Sequence, residues 1–138
     1  MDCIFCKIIE GKIPSYKVYE NDQIYAFLDI SQGTRGHTLV VPKNHSKSVF
    51  ELNEEDAKAV FSAVPMLAKS LKKAFNPIGL NIVSNNEKPY QTVEHFHIHL
   101  LPRYEDDELV LSMVNRMNDL EQKDYVDVLD AIKVAMKA

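Results

Sequence analysis

Apolar positions recur along this chain with two periods, and the places where the period changes mark out its elements. Ile4, Phe5, Ile8 and Ile9 fit helical spacing, which predicts a short N-terminal helix over residues 3–9 that Gly11 stops before Ile13 and Pro14. Residues 16–20 and 24–30 are β-rich runs separated by the turn-forming pair Asn21-Asp22, the pattern of two antiparallel strands. A third strand opens at His37 and closes on Pro42. From Asn53 the period lengthens: Ala57, Val60, Phe61, Val64, Leu67, Leu71, Ala74 and Phe75 recur every three or four residues, one apolar stripe of one long helix. Asn53 suits its N-cap, Glu54 to Asp56 suit its positive end, Pro65 is expected to kink it, and Asn76-Pro77 ends it. Residues 80–83 predict a fourth strand, 84–91 a loop and 95–101 a fifth strand. Acidic residues 105–108 read as a solvated stretch, and Tyr125, Val128, Leu129, Ile132 and Met136 fit a C-terminal helix.

Strands joined by short turns, with helices interposed late, predict an α+β fold: an antiparallel sheet of about five strands with a short N-terminal, a long central and a C-terminal helix. No repeat, linker or composition shift divides residues 1–138, so one domain is expected. At 138 residues and 46% hydrophobic, the chain can bury an adequate core. Sixteen basic against twenty acidic residues give a formal charge of -4 without a basic cluster, which argues against a surface for duplex nucleic acid. A single nucleotide stays compatible with that balance. No basic leader precedes a long apolar run and no stretch of about 18 apolar residues occurs, so a soluble, cytoplasmic chain without membrane attachment is expected. With four glycines and no glycine-rich loop, both the dinucleotide fingerprint and the P-loop are missing, and a phosphate must be held another way.

The candidate chemistry is concentrated. Residues 95–101 read His-Phe-His-Ile-His-Leu-Leu, and on a strand period two places His95, His97 and His99 on one face with Phe96, Ile98 and Leu100 on the other. The remaining histidines, His37 and His45, open the third strand and follow it. Three arrangements are open to these groups. Cys3 and Cys6, with two residues between them, can bind zinc together with two histidines. Alternatively, the three alternating histidines can form a catalytic zinc site with an open water position, although no carboxylate base stands beside them. Finally, one of them can be a nucleophile toward phosphorus, with neighbours binding phosphate oxygens and protonating the leaving group. A structural disulfide is not expected in a reducing compartment, and a redox dithiol lacks the βαβ setting that accompanies it.

The run at 95–101 resembles the signature of the histidine triad superfamily, in which histidines alternate with apolar residues. Residues 3–9, 25–30, 36–43 and 91–93 resemble that family in the same order, so the likeness covers about residues 3–103 and leaves 104–138 as a partly helical extension. The branch resembled is the small bacterial and Hint-like nucleotide-binding one. The resemblance implies a homodimer in which His97 attacks the α-phosphorus of a purine nucleotide, forming a nucleotidyl-histidine that water hydrolyses to a nucleoside monophosphate. It implies that His99 binds phosphate or passes a proton, with His37 behind it, and that Gln91 and Thr92 donate to the phosphate or leaving group. Ile4, Phe5, Ile8, Phe27, Leu28, Ile30 and Leu39 match the base-binding positions, Asp29 the ribose position and Asn85 the family asparagine. It also implies structural zinc on Cys3, Cys6, His45 and His95. Purine nucleoside phosphoramidates are the expected substrates, with dinucleoside polyphosphates, or nucleotide sensing with little turnover, as the alternatives. One departure stands out: the loop before the triad carries Pro89 and Tyr90 ahead of Gln91 and no glycine, where relatives usually have one.

Overall fold

The computed structural model describes residues 2–137. Five strands form one antiparallel sheet in the order β1-β2-β3-β5-β4: β1 (Lys17–Glu20), β2 (Ile24–Leu28), β3 (Thr38–Pro42), β4 (Gly79–Val83) and β5 (Ile98–Arg103). The helices are α1 (Ile4–Ile9), α2 (Glu54–Phe75) and α3 (Gln122–Met136), with a short 3-10 turn at Met117–Asp119. This is the α+β architecture expected, and each local signal can be traced. Asn21 Oδ1 accepts from the amides of Gln23 and Ile24 at 2.8 and 2.9 Å, making the β1–β2 turn. Asn53 Oδ1 accepts from Asp56 N at 2.8 Å, capping α2, and Asn76 ends it in the left-handed conformation at φ 48°. Pro65 lies inside α2, on an exposed position.

The sheet buries both faces, and this separates structure from chemistry. On one face Val60, Val64 and Leu67 of α2 pack on Ile24, Ala26, Val40, Phe96, Ile98 and Leu100. On the other, α1 lays Phe5 and Ile8 against Tyr25, Phe27, Leu39 and Val41. Two expectations need correcting. The stripe of α2 keeps Val60, Val64, Leu67 and Leu71 at its centre but takes Ala59 and Ala63 on its flank rather than Phe61, which is 52% exposed. The fifth strand begins at Ile98 rather than at residue 95. Before Ile98 the backbone is held by other partners: Phe96 N donates to Ser46 O at 2.7 Å, His95 N to Val93 O at 2.9 Å, and Ser84 Oγ to His97 O at 2.9 Å. Likewise β3 starts at Thr38, one residue after His37.

Gly36, at φ 92°, turns the chain into His37 in a conformation that side-chain-bearing residues rarely adopt. A Cβ here would lie 3.0 Å from the Phe75 ring and 3.2 Å from Pro102. Gly36→Ala is expected to destabilise the fold by about 2–3 kcal/mol, combining backbone strain with a packing clash. A urea midpoint equal to that of the parent protein would show the turn to be adaptable.

Candidate active site and metal centre

Three histidines that are equivalent in sequence become unequal because each ring is fixed by a different backbone group. His95 is fully buried, and its Nε2 lies 2.8 Å from Pro42 O. A carbonyl only accepts, so Nε2 carries the hydrogen and Nδ1 presents a lone pair. That Nδ1 stands 3.4 Å from Cys3 Sγ, 3.6 Å from Cys6 Sγ and 3.2 Å from His45 Nδ1, with Cys6 Sγ 3.5 Å from His45 Nδ1. Tetrahedral zinc, with nitrogens at about 2.0–2.1 Å and sulfurs at about 2.3 Å, requires donor separations of about 3.3–3.8 Å. The four donors fit that cage, all lying within 4.8 Å of one another. They come from α1, its N-cap, the loop after β3 and the segment before β5, so an ion there would join elements distant in sequence. Burial, then the neighbouring Cys3, pushes the Cys6 thiol up to about 11, so a cation must displace a proton to gain that ligand.

His97 turns the other way. Its Nδ1 lies 2.7 Å from the backbone carbonyl of His95, which places the hydrogen on Nδ1 and leaves Nε2 unprotonated. The Phe5 ring meets it edge-on at 5.1 Å between centroids. His99 receives its tautomer through a chain. Gly33 N donates to His37 Nδ1 at 3.2 Å, so His37 carries hydrogen on Nε2 and donates it to His99 Nδ1 at 2.8 Å. His99 therefore keeps a hydrogen on Nε2, the complement of His97. Burial lowers the pKa of His37, His95 and His97, and lowers that of His99 to about 4 with help from His97 and His37. All four rings are neutral at physiological pH, His97 with a lone pair on Nε2 and His99 with a hydrogen there. Asp29 Oδ2 stands 3.6 Å from His37 Nε2. Burial raises the Asp29 carboxyl, but Ser31, bonding its other oxygen through both hydroxyl and amide, and His37 more than offset that and the net direction is down.

His97 and His99 open into a cleft of about 270 Å³ between α1 and the β2–β3 sheet face. Of the residues singled out in the sequence, Ile4, Phe5, Ile8, Phe27, Leu28, Asp29, Ile30, Leu39 and Thr92 line it. Phe5, Ile8, Phe27 and Leu39 are core and wall at once, whereas Ile30 is 88% exposed and covers only the rim. Asn85 and Gln91 are not among the lining residues. Gln91 is buried in its own loop, its Nε2 donating to Lys47 O at 2.6 Å and its Oε1 accepting from Glu87 N at 2.8 Å. Ile13, Pro14, Ser15 and Val93 line the cleft without any sequence signal, as does the Gly33 amide in its role behind His37. A wider cleft of about 600 Å³ shares the wall of Ile4, Ile13, Thr92 and Val93 and is bordered by Lys7, Lys47 and Lys88.

An antiparallel five-stranded sheet with a histidine cluster at the mouth of an apolar cleft defines a class, and comparison with known proteins identifies it. The family model for the HIT domain matches residues 10–106, and the chain belongs to the HIT family. Protein hit of Bacillus subtilis (strain 168) is 57% identical over 104 residues, 75% of this chain and 72% of that protein. Adenosine 5'-monophosphoramidase hnt1 of Schizosaccharomyces pombe is 39% identical over 104 residues, 75% of each chain. The crystal structure of a HIT family protein from Bacillus anthracis superposes with a TM-score of 0.93 at 45% identity, covering 97% of this chain and 96% of that one. A zinc-bound histidine triad family protein from Mycobacterium smegmatis superposes with a TM-score of 0.75 at 34% identity, covering 83% and 84%. No helix among the described residues is long and apolar enough to cross a membrane.

The lowered histidine pKa values set a pH dependence of stability. A ring that holds its proton less well folded than unfolded stabilises the fold fully above the unfolded value near 6.5, and that contribution is lost as pH falls toward the folded value, about 4 for His99. Asp107, held at about 2 by Arg103 and the Tyr104 amide, adds a separate loss below 3.8. The urea midpoint is expected to fall between pH 6.5 and 4, and less steeply in His99→Asn. An identical slope in both proteins would remove His99 from this linkage.

Proposed function

We propose that this protein hydrolyses or transfers nucleotides at the α-phosphorus through a nucleotidyl-histidine on His97, with purine nucleoside phosphoramidates preferred and a nucleoside monophosphate released. The observation that carries this reading is the His95 carbonyl on His97 Nδ1, which leaves the Nε2 lone pair on a neutral ring lining the cleft. The apolar walls suit a base, and Asp29 suits the ribose hydroxyls. The Nε2 hydrogen of His99 suits a non-bridging phosphate oxygen, with Thr92 beside it and His37 fixing the tautomer. Asn85 and Gln91 shape the loop at the phosphate side. The bond from His97 Nε2 to phosphorus forms as the phosphorus–nitrogen bond breaks. The leaving nitrogen, protonated when the substrate binds, takes the electron pair of that bond and departs as a neutral amine. Water then attacks phosphorus, gives one proton to solution, and returns the electron pair to Nε2. The positive charge on the His97 ring in the intermediate is stabilised by the carbonyl on Nδ1. The similarity to a named adenosine 5'-monophosphoramidase supports the reaction class.

Zinc is the proposed ion for Cys3, Cys6, His45 and His95, where it would supply a structural cross-link with four protein ligands and no open position. A zinc-bound relative of similar fold supports that assignment. The functional unit is proposed to be a cytoplasmic homodimer. A second reading, cleavage of dinucleoside polyphosphates, is favoured by one observation: the adjoining cleft holds Lys47, with Lys7 and Lys88 paired to Asp2 and Glu94 at its border, and Lys47 suits a phosphorylated leaving group.

AMP release from adenosine 5'-phosphoramidate is expected to fall about 10⁴-fold or more in His97→Ala. Undiminished turnover would sink the nucleophile assignment, and tight AMP binding with no turnover by the parent protein would select the sensor. Diadenosine polyphosphates in the same assay decide the leaving group. Metal-free protein titrated with zinc at pH 7 is expected to take up one equivalent per chain with release of protons. Cys6→Ser should lose more affinity than the roughly 10–100-fold typical of an outer partner. Unchanged uptake by that variant would place the metal elsewhere.

A further inference from the structure

Asp29 and His37 are the first residues beyond the paired ends of β2 and β3, where Leu28 and Thr38 form the last rung of the ladder. One backbone bond continues the pairing past that rung, from Asp29 N to His37 O at 3.1 Å. Residues 30–36 then loop out and return with no strand or helix to fix their course. One side chain spans the loop instead. Gln32 Nε2 donates to Asp29 O and to His37 O, each at 2.8 Å, and its Oε1 accepts from Gly36 N at 2.9 Å. Two carbonyls at one end of the amide and one N–H at the other permit a single orientation of it, with both donors used. The Gln32 backbone adds a bond of its own, from N to Asp29 O at 3.1 Å. Gln32 is exposed and does not line the cleft, so these bonds serve the loop rather than a ligand.

The loop reaches the site through the residue that follows. Gln32 has φ 42°, in the left-handed region that a residue with a long side chain rarely occupies. Such a conformation persists where its surroundings over-determine it, and here the bonds of its own side chain do so. The next amide, Gly33 N, donates to His37 Nδ1 at 3.2 Å, which leaves His37 with its hydrogen on Nε2 and His99, in turn, with its own on Nε2. Without that donor the pair has a second arrangement with the same ring-to-ring bond. His99 Nδ1 would donate to His37 Nε2, and the Nε2 of His99 would become a bare lone pair. Asp29 Oδ2, at 3.6 Å from His37 Nε2, favours the first arrangement but stands beyond hydrogen-bond reach. The Asp29 carboxylate is itself held by the Ser31 amide at 2.8 Å and hydroxyl at 2.7 Å, independently of Gln32.

We propose that Gln32 is a positioning residue: by clamping the loop between Asp29 and His37 it aims Gly33 N at the His37 ring and selects the tautomer in which His99 presents a hydrogen to the phosphate. The role rests on the proposed function of His99 and adds the residue that makes it a donor. Long-range nitrogen–proton correlation spectra of histidine-labelled protein near neutral pH read each ring's tautomer with no substrate present. In the parent protein His37 and His99 are expected to carry hydrogen on Nε2. Gln32→Met keeps the length without the hydrogen bonds, and Gln32→Gly adopts φ 42° freely without them. In both, His37 and His99 are expected to become tautomer mixtures, while His95, bonded to Pro42 O, keeps its Nε2 hydrogen and reports an intact fold. Tyr104→Phe removes a different bond to the loop, 2.7 Å to Arg35 O, and is expected to leave the tautomers unchanged. For Gln32→Met, kcat for AMP release is expected to fall about 10-fold with KM within about 3-fold of the parent. That is less than the about 10²–10³-fold of deleting a donor outright, because part of the population keeps the hydrogen. Parent tautomers in either Gln32 variant, or the same mixture in Tyr104→Phe, overturn the role. The spectra need no turnover, so a failure of the proposed reaction in the AMP assay is distinguishable from a failure of the clamp.

Discussion

The hydrogen bond from His97 Nδ1 to the His95 carbonyl is the contact on which the site depends. It is 2.7 Å long, it lies between residues two apart, and it fixes which nitrogen of His97 bears the lone pair. The bond is only as definite as the position of that carbonyl, and His95 is fixed from several directions. Its ring donates to Pro42 O, its other nitrogen joins the thiols and His45, and its amide donates to Val93. The donor cage and the nucleophile candidate are therefore parts of one object: the residue that offers a ring to the cage offers its backbone to the reaction. A second tautomer chain, from Gly33 through His37 to His99, runs in parallel and ends with a hydrogen where His97 ends with a lone pair. Opposite outcomes on adjacent rings, with centroids 5.0 Å apart, follow from one amide donor and one carbonyl acceptor.

The placement of these rings follows from the two-sided sheet. Alternation at Phe96, Ile98 and Leu100 anchors the segment into the α2 core, and the same alternation delivers His97 and His99 to the α1 face. Burial on that face removes water from the rings and lowers their proton affinity, so the packing that stabilises the fold also keeps the rings neutral. Asp29 and Thr92 supply the polar contacts of an otherwise apolar cleft.

Much of this was legible in the chain because the signals are local. Period two at 96–100, the caps Asn53 and Asn76, and the Asx turn at Asn21 act within a few residues, and all act as read. Cys3, Cys6, His45 and His95 were grouped through a family resemblance, and their donor atoms come together. Less legible were contacts whose partner is backbone from elsewhere. Nothing in the identity of Pro42 or Gly33 announces that its carbonyl or amide holds a histidine, or in that of Ser46 that its carbonyl holds the Phe96 amide, so in sequence the strand reads as beginning at His95. Gln91 is a case of competition: an amide side chain next to a phosphate-side loop reads as a ligand donor, but here it binds backbone, its oxygen accepting from Glu87 N within the loop and its nitrogen donating to Lys47 O outside it. Phe61 lies at the edge of an otherwise correctly placed stripe, where the buried flank of α2 is the Ala59 and Ala63 side.

The glycine-free loop and the C-terminal arm beyond Arg103 pose opposite problems with a common physical basis. Buried polar groups must be bonded, and Gln91, the buried side chain of the loop, meets that demand with backbone partners inside and outside it. Apolar faces must be covered, and the arm carries one, on α3, that its own domain does not cover. The Arg103–Asp107–Asn81 contacts fix the direction in which it departs. Because Arg103 ends β5, the strand that carries His99, the proposed nucleotide cleft and the root of the arm lie toward opposite ends of one short element. A strand of six residues spans about 20 Å. The root of the arm and the histidine face are therefore joined by a hydrogen-bonded strand rather than by a flexible loop.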